Sequence, residues 1–196
     1  MKRIKGFTLI EVVLVLAIAG LIFMMVFFTL PTVLANQRDT ERRDNVLTFI
    51  QRLKDFQSNN NRGALPTMNS GASQEVTRKT AKSEPSGIKD TWPAFYRDYF
   101  DDVFTDPIGD NYKLMIGYCD NNTYSNPQAI LGQLDKNCTS PNGKAINGEN
   151  AFPNDYKLYV LIGAKCNGEK AVGSANIRKV AVLYKLEGGG VYCGES

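Results

Sequence analysis

Residues 5–11 read Lys5-Gly6-Phe7-Thr8-Leu9-Ile10-Glu11: a lysine, a glycine, an aromatic residue, three uncharged residues and an acid. Residues 12–35 then form a run of 24 residues without a charged side chain. As a helix, this run extends about 36 Å, which is enough to cross a lipid bilayer. A membrane anchor explains the apolar run but does not explain Glu11. Inserting a carboxylate into a membrane helix costs about 2.5–3.5 kcal/mol at the bilayer centre and less near the interface. Glu11 therefore requires a binding partner.

This stretch resembles the N-terminus of type IV prepilins and of the related pseudopilins of type II secretion. The shared pattern is a short basic leader, a glycine, Phe-Thr-Leu-Ile-Glu and an apolar helix. The resemblance implies that a prepilin peptidase/methyltransferase cuts between Gly6 and Phe7 and then N-methylates Phe7. It also implies that Glu11 pairs with the Phe7 amine of a neighbouring subunit. The implied partners are other pilin subunits, membrane lipid before assembly, and the pilus assembly machinery.

The spacing of Phe7 and Glu11 is compatible with this role. Residues four apart lie one helical turn apart, so the amine and the carboxylate are near the same helix end. The helix dipole also favours an acid there. Pairing would offset the burial of both charges in a bundle of helices. In the alternative interpretation, Glu11 only reaches the lipid headgroups.

The chain divides into four segments by sequence pattern. We predict a leader over residues 1–6, a transmembrane and assembly helix over 7–35, an amphipathic helix over 36–61 and a globular head over 62–196. Charged residues at helical spacing follow the apolar run and are expected to form solvent-facing pairs: Arg38, Glu41, Arg42 and Asp44. An apolar stripe then recurs every three or four residues: Val46, Leu47, Phe49, Ile50, Leu53 and Phe56. The helix is expected to end within residues 58–61.

Net charge gives little support for nucleic-acid binding. The formal charge is +3, but the leader carries Lys2, Arg3 and Lys5, so removing it leaves 20 basic and 20 acidic side chains. The same leader charges predict a cytoplasmic N-terminus and a head outside the cell membrane, by the positive-inside rule. After assembly, the head would lie on an extracellular filament.

Composition also argues against catalysis. Histidine is absent, which removes Ser-His-Asp and Cys-His catalysis and every histidine zinc site. The sequence contains no C-x-x-C pair and no phosphate-binding glycine motif in a strand-to-helix context. We therefore predict a non-enzymatic protein without a cofactor.

The four cysteines all follow residue 118, which fits an oxidising compartment. Four cysteines allow three connectivities. We favour Cys119–Cys138, which would close a long polar excursion, and Cys166–Cys193, which would tie the C-terminus to a sheet.

The head is predicted to be an α+β fold on the long helix. A short helix is expected around Ser73–Lys82, and an aromatic-rich helix over Trp92–Phe100, capped by Asp90 or Thr91. Alternating patterns predict strands over Tyr112–Cys119, Tyr156–Ile162 and Arg178–Leu186, and a last short strand at Val191–Cys193 after a glycine turn. Short connections favour an antiparallel sheet of three or four strands, stapled by the disulfides.

Acidic residues cluster at and after the end of the aromatic helix: Asp98, Asp101, Asp102, Asp106 and Asp110. They allow two interpretations. Some pseudopilins bind calcium in the head, and calcium requires several oxygen ligands. No EF-hand spacing is present, so a helix end with solvated acids is favoured over calcium bound by Asp101, Asp102, Asp106 and Asp110. Residues 106–112 also resemble the Asp-Pro-x-Gly-x-x-Tyr segment of pseudopilin heads. Ile108 stands where that family form has tryptophan, so the choice between pilin and pseudopilin stays open.

Three function classes follow. The first is a structural subunit of a type IV pilus-like filament that serves adhesion, motility or DNA uptake. The second is a pseudopilin of a type II secretion-like machine. The third is a membrane-anchored head that binds a ligand or acts as an enzyme; the absence of histidine and of catalytic motifs argues against it.

Overall fold

The computed structural model describes residues 7–59, 63–68, 74–100, 104–119 and 157–196. It contains a long helix, two short helices and seven strands in these ranges. In chain order these are α1 (Leu9–Asn59), β1 (Gln74–Val76), α2 (Arg78–Ser83), α3 (Trp92–Tyr99), β2 (Lys113–Tyr118), β3 (Lys157–Ile162), β4 (Ala164–Asn167), β5 (Lys170–Gly173), β6 (Val180–Lys185) and β7 (Val191–Glu195). The chain separates into two compact units, one ending at Gln37 and the other beginning at Arg38.

The first unit is the apolar part of α1. Its large apolar side chains are all solvent-exposed, from 45% at Val26 to 89% at Phe7. Among the described residues, one helix, α1, is long and apolar enough to cross a membrane. Pro31 lies inside the helix. Water solvates such an apolar surface poorly, so its burial would be favourable.

In the second unit, α1 is the central helix of the head. The predicted stripe is buried, at Val46, Phe49, Ile50, Leu53 and Phe56. Leu47 is the exception, since it is 50% exposed. It lies one residue after Val46, which turns it about 100° away from the face that the core covers. The helix ends at Asn59, within the predicted range.

Helix α3 covers the stripe with aromatic rings. Thr91 caps it by accepting a hydrogen bond from the Ala94 N–H at 3.3 Å, and Pro93 lies in the first turn, as predicted. The Phe95 ring meets Phe49 edge-on at 5.8 Å between ring centres, and the Phe100 ring stacks on Phe49 at 5.5 Å. Such pairs add about 0.5–1.5 kcal/mol each beyond their area burial. The predicted core role of this aromatic segment is confirmed.

The sheet has five strands in the order β1-β2-β3-β6-β7. All pairs are antiparallel except β2 and β3, which run parallel with Lys113 opposite Lys157. The predicted α+β fold is therefore correct, but the wholly antiparallel sheet of three or four strands is wrong. A parallel pair needs a crossover of a dozen or more residues, and the chain between Tyr118 and Lys157 supplies that length.

Three strands were missed because each is short. β1 has three residues, and it occupies the start of the helix expected around Ser73–Lys82, so only Arg78–Ser83 is helical. Strands β4 and β5 form a separate two-stranded hairpin of four residues each. Alternation over three or four residues is too brief to distinguish a strand from a loop.

Both faces of the five-stranded sheet are buried. One face packs against α1 and α3 through residues such as Leu114, Leu158 and Val182. The other face carries Met115, Tyr159 and Leu183 in a second cluster. Because side chains alternate along a strand, odd-numbered residues of β2, β3 and β6 share this second face.

The predicted Cys166–Cys193 disulfide is confirmed and joins β4 to β7. The two Cα atoms are 5.9 Å apart, within the usual range for a disulfide. Cys119 is also disulfide-bonded. Its predicted partner, Cys138, lies outside the described residues, as does the rest of the polar excursion, so that pairing stays a prediction.

Candidate assembly site

The first helical turn contains a reciprocal pair of hydrogen bonds between Thr8 and Glu11. The Thr8 backbone N–H donates to Glu11 Oε2 at 2.8 Å, and the Thr8 hydroxyl donates to the same oxygen at 2.9 Å. The Glu11 N–H points back at Thr8 Oγ1 across 3.4 Å. This is the arrangement of a capping box, which satisfies N–H groups at the start of a helix.

The capping box assigns Glu11 a role within its own chain. Both Thr8 bonds use Oε2, and among the described residues Glu11 Oε1 accepts no hydrogen bond. Phe7, which immediately precedes Thr8, is 89% exposed. The pairing of Glu11 with a neighbour's Phe7 amine involves a second chain and stays a prediction, as do cleavage after Gly6 and methylation of Phe7.

A second polar site lies in the head, centred on Arg42. Its guanidinium binds Asp106 through two bonds, Nε to Oδ2 at 2.8 Å and Nη2 to Oδ1 at 3.0 Å. Arg42 Nη1 also donates to Asp39 at 3.0 Å and to Glu187 at 3.1 Å. The Arg42 side chain is only 5% exposed and that of Asp106 is fully buried. We call Arg42, Asp39, Asp106 and Glu187 the Arg42 cluster.

Asp39 binds the turn between β6 and β7. Its Oδ1 accepts the Glu187 N–H at 2.7 Å, and its Oδ2 accepts the Gly188 N–H at 2.7 Å. The Asp39 carboxylate thus accepts hydrogen bonds from two successive backbone N–H groups, and such charge-assisted hydrogen bonds are strong. Arg38, which precedes Asp39 in α1, pairs with the Glu187 carboxylate through Nε at 2.9 Å.

Further hydrogen bonds surround the Arg42 cluster. Tyr184 donates its hydroxyl hydrogen to Asp106 Oδ2 at 2.7 Å, and the Ile108 N–H donates to Oδ1 at 3.1 Å. Asn45 donates through Nδ2 to the Tyr112 hydroxyl at 3.1 Å. The cluster therefore connects α1, the Thr105–Asn111 turn and the end of the sheet.

Hydrogen bonds keep both aspartates ionised. Burial alone would raise the pKa of Asp106, but bonds from Arg42, Tyr184 and the Ile108 N–H together lower the pKa below its ordinary value. Burial likewise opposes ionisation of Asp39, yet the N–H groups of Gly188 and Glu187 and the Arg42 guanidinium lower its pKa. Bonding to Asp106 raises the pKa of Arg42.

The structure corrects two predictions about these residues. Arg42 was expected in a solvent-facing pair, but it and Asp39 are buried. Asp106 was grouped with solvated acids or a calcium site, but its carboxylate is occupied by Arg42 and Tyr184. Asp101 and Asp102 lie outside the described residues, and Asp110 is exposed. Within the described ranges, no group of three His, Cys, Asp or Glu side chains is placed to hold a metal ion.

One sequence signal could have identified the Arg42 cluster. The Asp-Pro-Ile-Gly sequence predicts a turn, and the structure forms it, with the Asp106 N–H bonded to the Asp110 carbonyl at 2.7 Å and Gly109 at a φ of +105°. Asp106 of this turn and Arg42, which lies just before the apolar stripe, carry opposite charges and are therefore candidates for an ion pair. The spatial pairing across 64 residues is not readable from the chain alone.

Comparison with known proteins bears on the N-terminal site. Residues 1–27 match the family model of the prokaryotic N-terminal methylation motif. No curated protein and no solved structure matches the chain. The match covers the predicted leader, the Gly6-Phe7 junction, Glu11 and the first part of the apolar helix.

Proposed function

We propose that this chain, which carries the N-terminal methylation motif of type IV prepilins and pseudopilins, is a structural subunit of a type IV pilus-like extracellular filament. The proposal rests on one observation: the methylation motif leads into an apolar helix whose large side chains are exposed. In the most apolar part of α1, no residue is buried. Lipid can cover that surface before assembly, and the helices of other subunits can cover it afterwards.

Leader removal is the first step in this proposal. Before it, Lys2, Arg3 and Lys5 hold the N-terminus in the cytoplasm, which leaves the head on the other side of the membrane. Cleavage after Gly6 removes those charges and creates an α-amine on Phe7, which is then methylated. Intact mass of filament-borne protein should show loss of six residues and gain of one methyl group. Filament protein that keeps Met1 contradicts the proposal.

Glu11 then provides the polar contact of assembly. One of its oxygens, Oε2, is bonded to Thr8 in the same chain, and the carboxylate keeps a second oxygen for the Phe7 amine of a neighbour. In the apolar core of a filament, the ammonium and the carboxylate would stabilise each other. Loss of one partner of such a buried pair costs about 3–5 kcal/mol.

Two substitutions separate assembly from capping. Glu11→Leu should insert into the membrane and be cleaved, because the leader is unchanged, yet it should not enter filaments. Glu11→Gln is the matched control, because glutamine also serves at this position of a capping box but carries no charge. Loss of filaments in both variants, measured by fractionating cells into membrane and fibre pools, supports the ion pair. Normal filaments from Glu11→Gln show that the residue only caps the helix.

A pseudopilin is the second candidate, because residues 106–112 resemble a segment of pseudopilin heads except at Ile108. Arg42 binds this segment through Asp106. In that function, a short fibre would push cargo out of the cell. Deleting the gene distinguishes the two: loss of surface fibres supports a pilin, and loss of secretion with surface fibres intact supports a pseudopilin.

A further inference from the structure

The outer face of α1 in the head carries charges that have no partner among the described residues. Two adjacent pairs of a base and an acid lie on it, Arg43-Asp44 and Lys54-Asp55. Arg43, Asp44 and Lys54 are exposed, and Asp55 is partly exposed. Within the part of the chain that the structure describes, none of the four forms an ion pair. These charges are therefore available to another molecule.

The spacing of the two pairs sorts the charges into two lines along the helix. Residues 11 apart are separated by about three turns, so Arg43 and Lys54 lie on one side of α1 and Asp44 and Asp55 on another. Adjacent residues are about 100° apart around the axis, so the base and the acid of each pair point in different directions. Within each line, the two charges are about 16.5 Å apart along the axis. We call Arg43 and Lys54 the basic line, and Asp44 and Asp55 the acidic line.

Contacts within the head show where these lines lie. The Arg43 guanidinium lies over the Tyr192 ring, 5.7 Å from its centre, so the basic line borders the edge strand β7. On the acidic line, Asp55 accepts a hydrogen bond from the exposed Gln51 at 3.1 Å. Leu47 lies between the two lines and is 50% exposed. An apolar side chain flanked by charges is the usual composition of a contact between proteins.

The other charged residues of this helix segment do not belong to the two lines. Arg38 and Arg42 are bound by acids of their own chain. Glu41 and Arg52 are exposed, but each lies about 60° beyond the acidic line, on the side away from the exposed leucine. They carry opposite charges, so they do not change the balance of the face.

We propose that the basic line of one copy of this chain binds the acidic line of a second copy. This inference rests on the proposed function and assigns the head its own part in the contact between subunits. The two lines are different surfaces, so each copy presents its basic line to one neighbour and its acidic line to another. Such a heterologous contact does not pair two copies symmetrically, and repeated with an axial displacement it produces an open helical polymer.

A second copy fits this face because the two lines match in number, spacing and sign. Each has two charges about 16.5 Å apart, one line positive and the other negative. A partner that only carried acids would occupy the basic line and leave the acidic line and its side of Leu47 uncovered. A second copy uses both lines, and complementary charges also select the correct neighbour against a wrong orientation.

Reversing the charges of one line tests the contact in cells with the full chain. Arg43→Glu with Lys54→Glu makes both lines acidic, and Asp44→Lys with Asp55→Lys makes both lines basic. Each variant replaces the ion pairs of every contact by like charges, so its share in sheared fibres should fall at least about tenfold. Both variants should remain in the membrane fraction in normal amount, because the leader and the apolar helix are unchanged.

Two restorations are specific to a contact between copies. Producing the two variants together should return both to the fibres in similar amounts, because each all-acidic copy then meets all-basic copies on both sides. Combining the four substitutions in one chain exchanges the two lines and should restore fibres as well. Substitutions that unfold the head, or that disturb an unrelated partner, give neither recovery.

A charge-matched variant controls for net charge. Lys89 and Lys170 are exposed and lie outside α1. Lys89→Glu with Lys170→Glu changes the net charge as much as reversal of the basic line does, and it should leave the share of the chain in fibres near that of the unaltered protein.

The outcomes separate this inference from the proposed function. If the unaltered chain is absent from fibres, the proposed function fails, and this inference fails with it. If the unaltered chain forms fibres, normal fibres from either reversed variant overturn the inference alone, as does an equal loss in the charge-matched control. Loss of fibres without recovery in the mixture or in the exchanged chain would assign this face to a different partner.

Discussion

Arg42 and Asp106 are 64 residues apart in the chain, and they form a two-pronged ion pair with N···O distances of 2.8 and 3.0 Å in the interior of the head. The pair fastens the central helix to the turn that precedes the sheet. Buried ion pairs of this kind are not in themselves a large source of stability, but removing one partner leaves the other charged and unsolvated. Its contribution is therefore tested by removing one partner at a time.

Arg42→Met should destabilise the head by about 3–5 kcal/mol, because Asp39 and Asp106 would lose their shared cation. Chemical denaturation of the full chain in detergent, followed by near-UV circular dichroism, measures this change. Arg52→Met is the matched control on an exposed position of the same helix and should change stability by at most about 0.5 kcal/mol. Equal losses in the two variants would show that the buried pair has no special role.

Stability should decrease in acid through Asp39 and Asp106. In the folded protein, the pKa values of both carboxyl groups lie below the unfolded value of about 3.9. Their ionised forms therefore contribute fully to the stability of the fold above that pH. It is lost as the pH falls through the folded values, where protonation of the folded protein removes the bonds. Denaturation at a series of pH values from 7 to 2 should show this loss. Asp106→Asn should be less stable at pH 7 and less dependent on pH below 5; an unchanged dependence would contradict this assignment.

Gly163 connects β3 to β4 at a φ of +71°, and a Cβ atom there would lie 2.7 Å from the Cys119 carbonyl oxygen. Gly163→Ala should therefore lose about 1 kcal/mol from backbone strain and a further 1–3 kcal/mol from the clash. Gly168 has a similar φ of +63° with nothing near its Cβ position, so Gly168→Ala isolates the strain. Thermal denaturation of both variants compares the two effects. Equal losses would show that the contact with Cys119 relaxes freely.

The Cys166–Cys193 bond should contribute about 3 kcal/mol, because its ends are separated by 27 residues in the chain. Replacing both cysteines by serine and repeating the denaturation measures that contribution. Non-reducing peptide mapping of the unaltered chain should recover this pair and should also pair Cys119 with Cys138. Recovery of Cys119 with Cys166 or Cys193 would contradict both the structure and the prediction.

Much of the head could be predicted because its elements have strong local signals. The Thr91 cap, Pro93 and the dense aromatic residues indicate α3, and the alternating patterns indicate β2, β3, β6 and β7. Strand direction was predicted wrongly for β2 and β3. Direction depends on the path of the connection between two strands, and the alternation of side chains is the same in a parallel and an antiparallel pair.

The sequence by itself determined the N-terminal site and the membrane-competent helix, since both depend on residues that are adjacent in the chain. Gly6, Phe7 and Glu11 form a local motif, and the apolar run after Glu11 needs no tertiary contact to be recognised. Only the tertiary structure decided that Arg42 is buried against Asp106, and that Lys113 lies opposite Lys157 in a parallel pair of strands. Charge in a sequence does not indicate burial or register. Those depend on which distant residues the fold places opposite each other, where ion pairing offsets the loss of solvation.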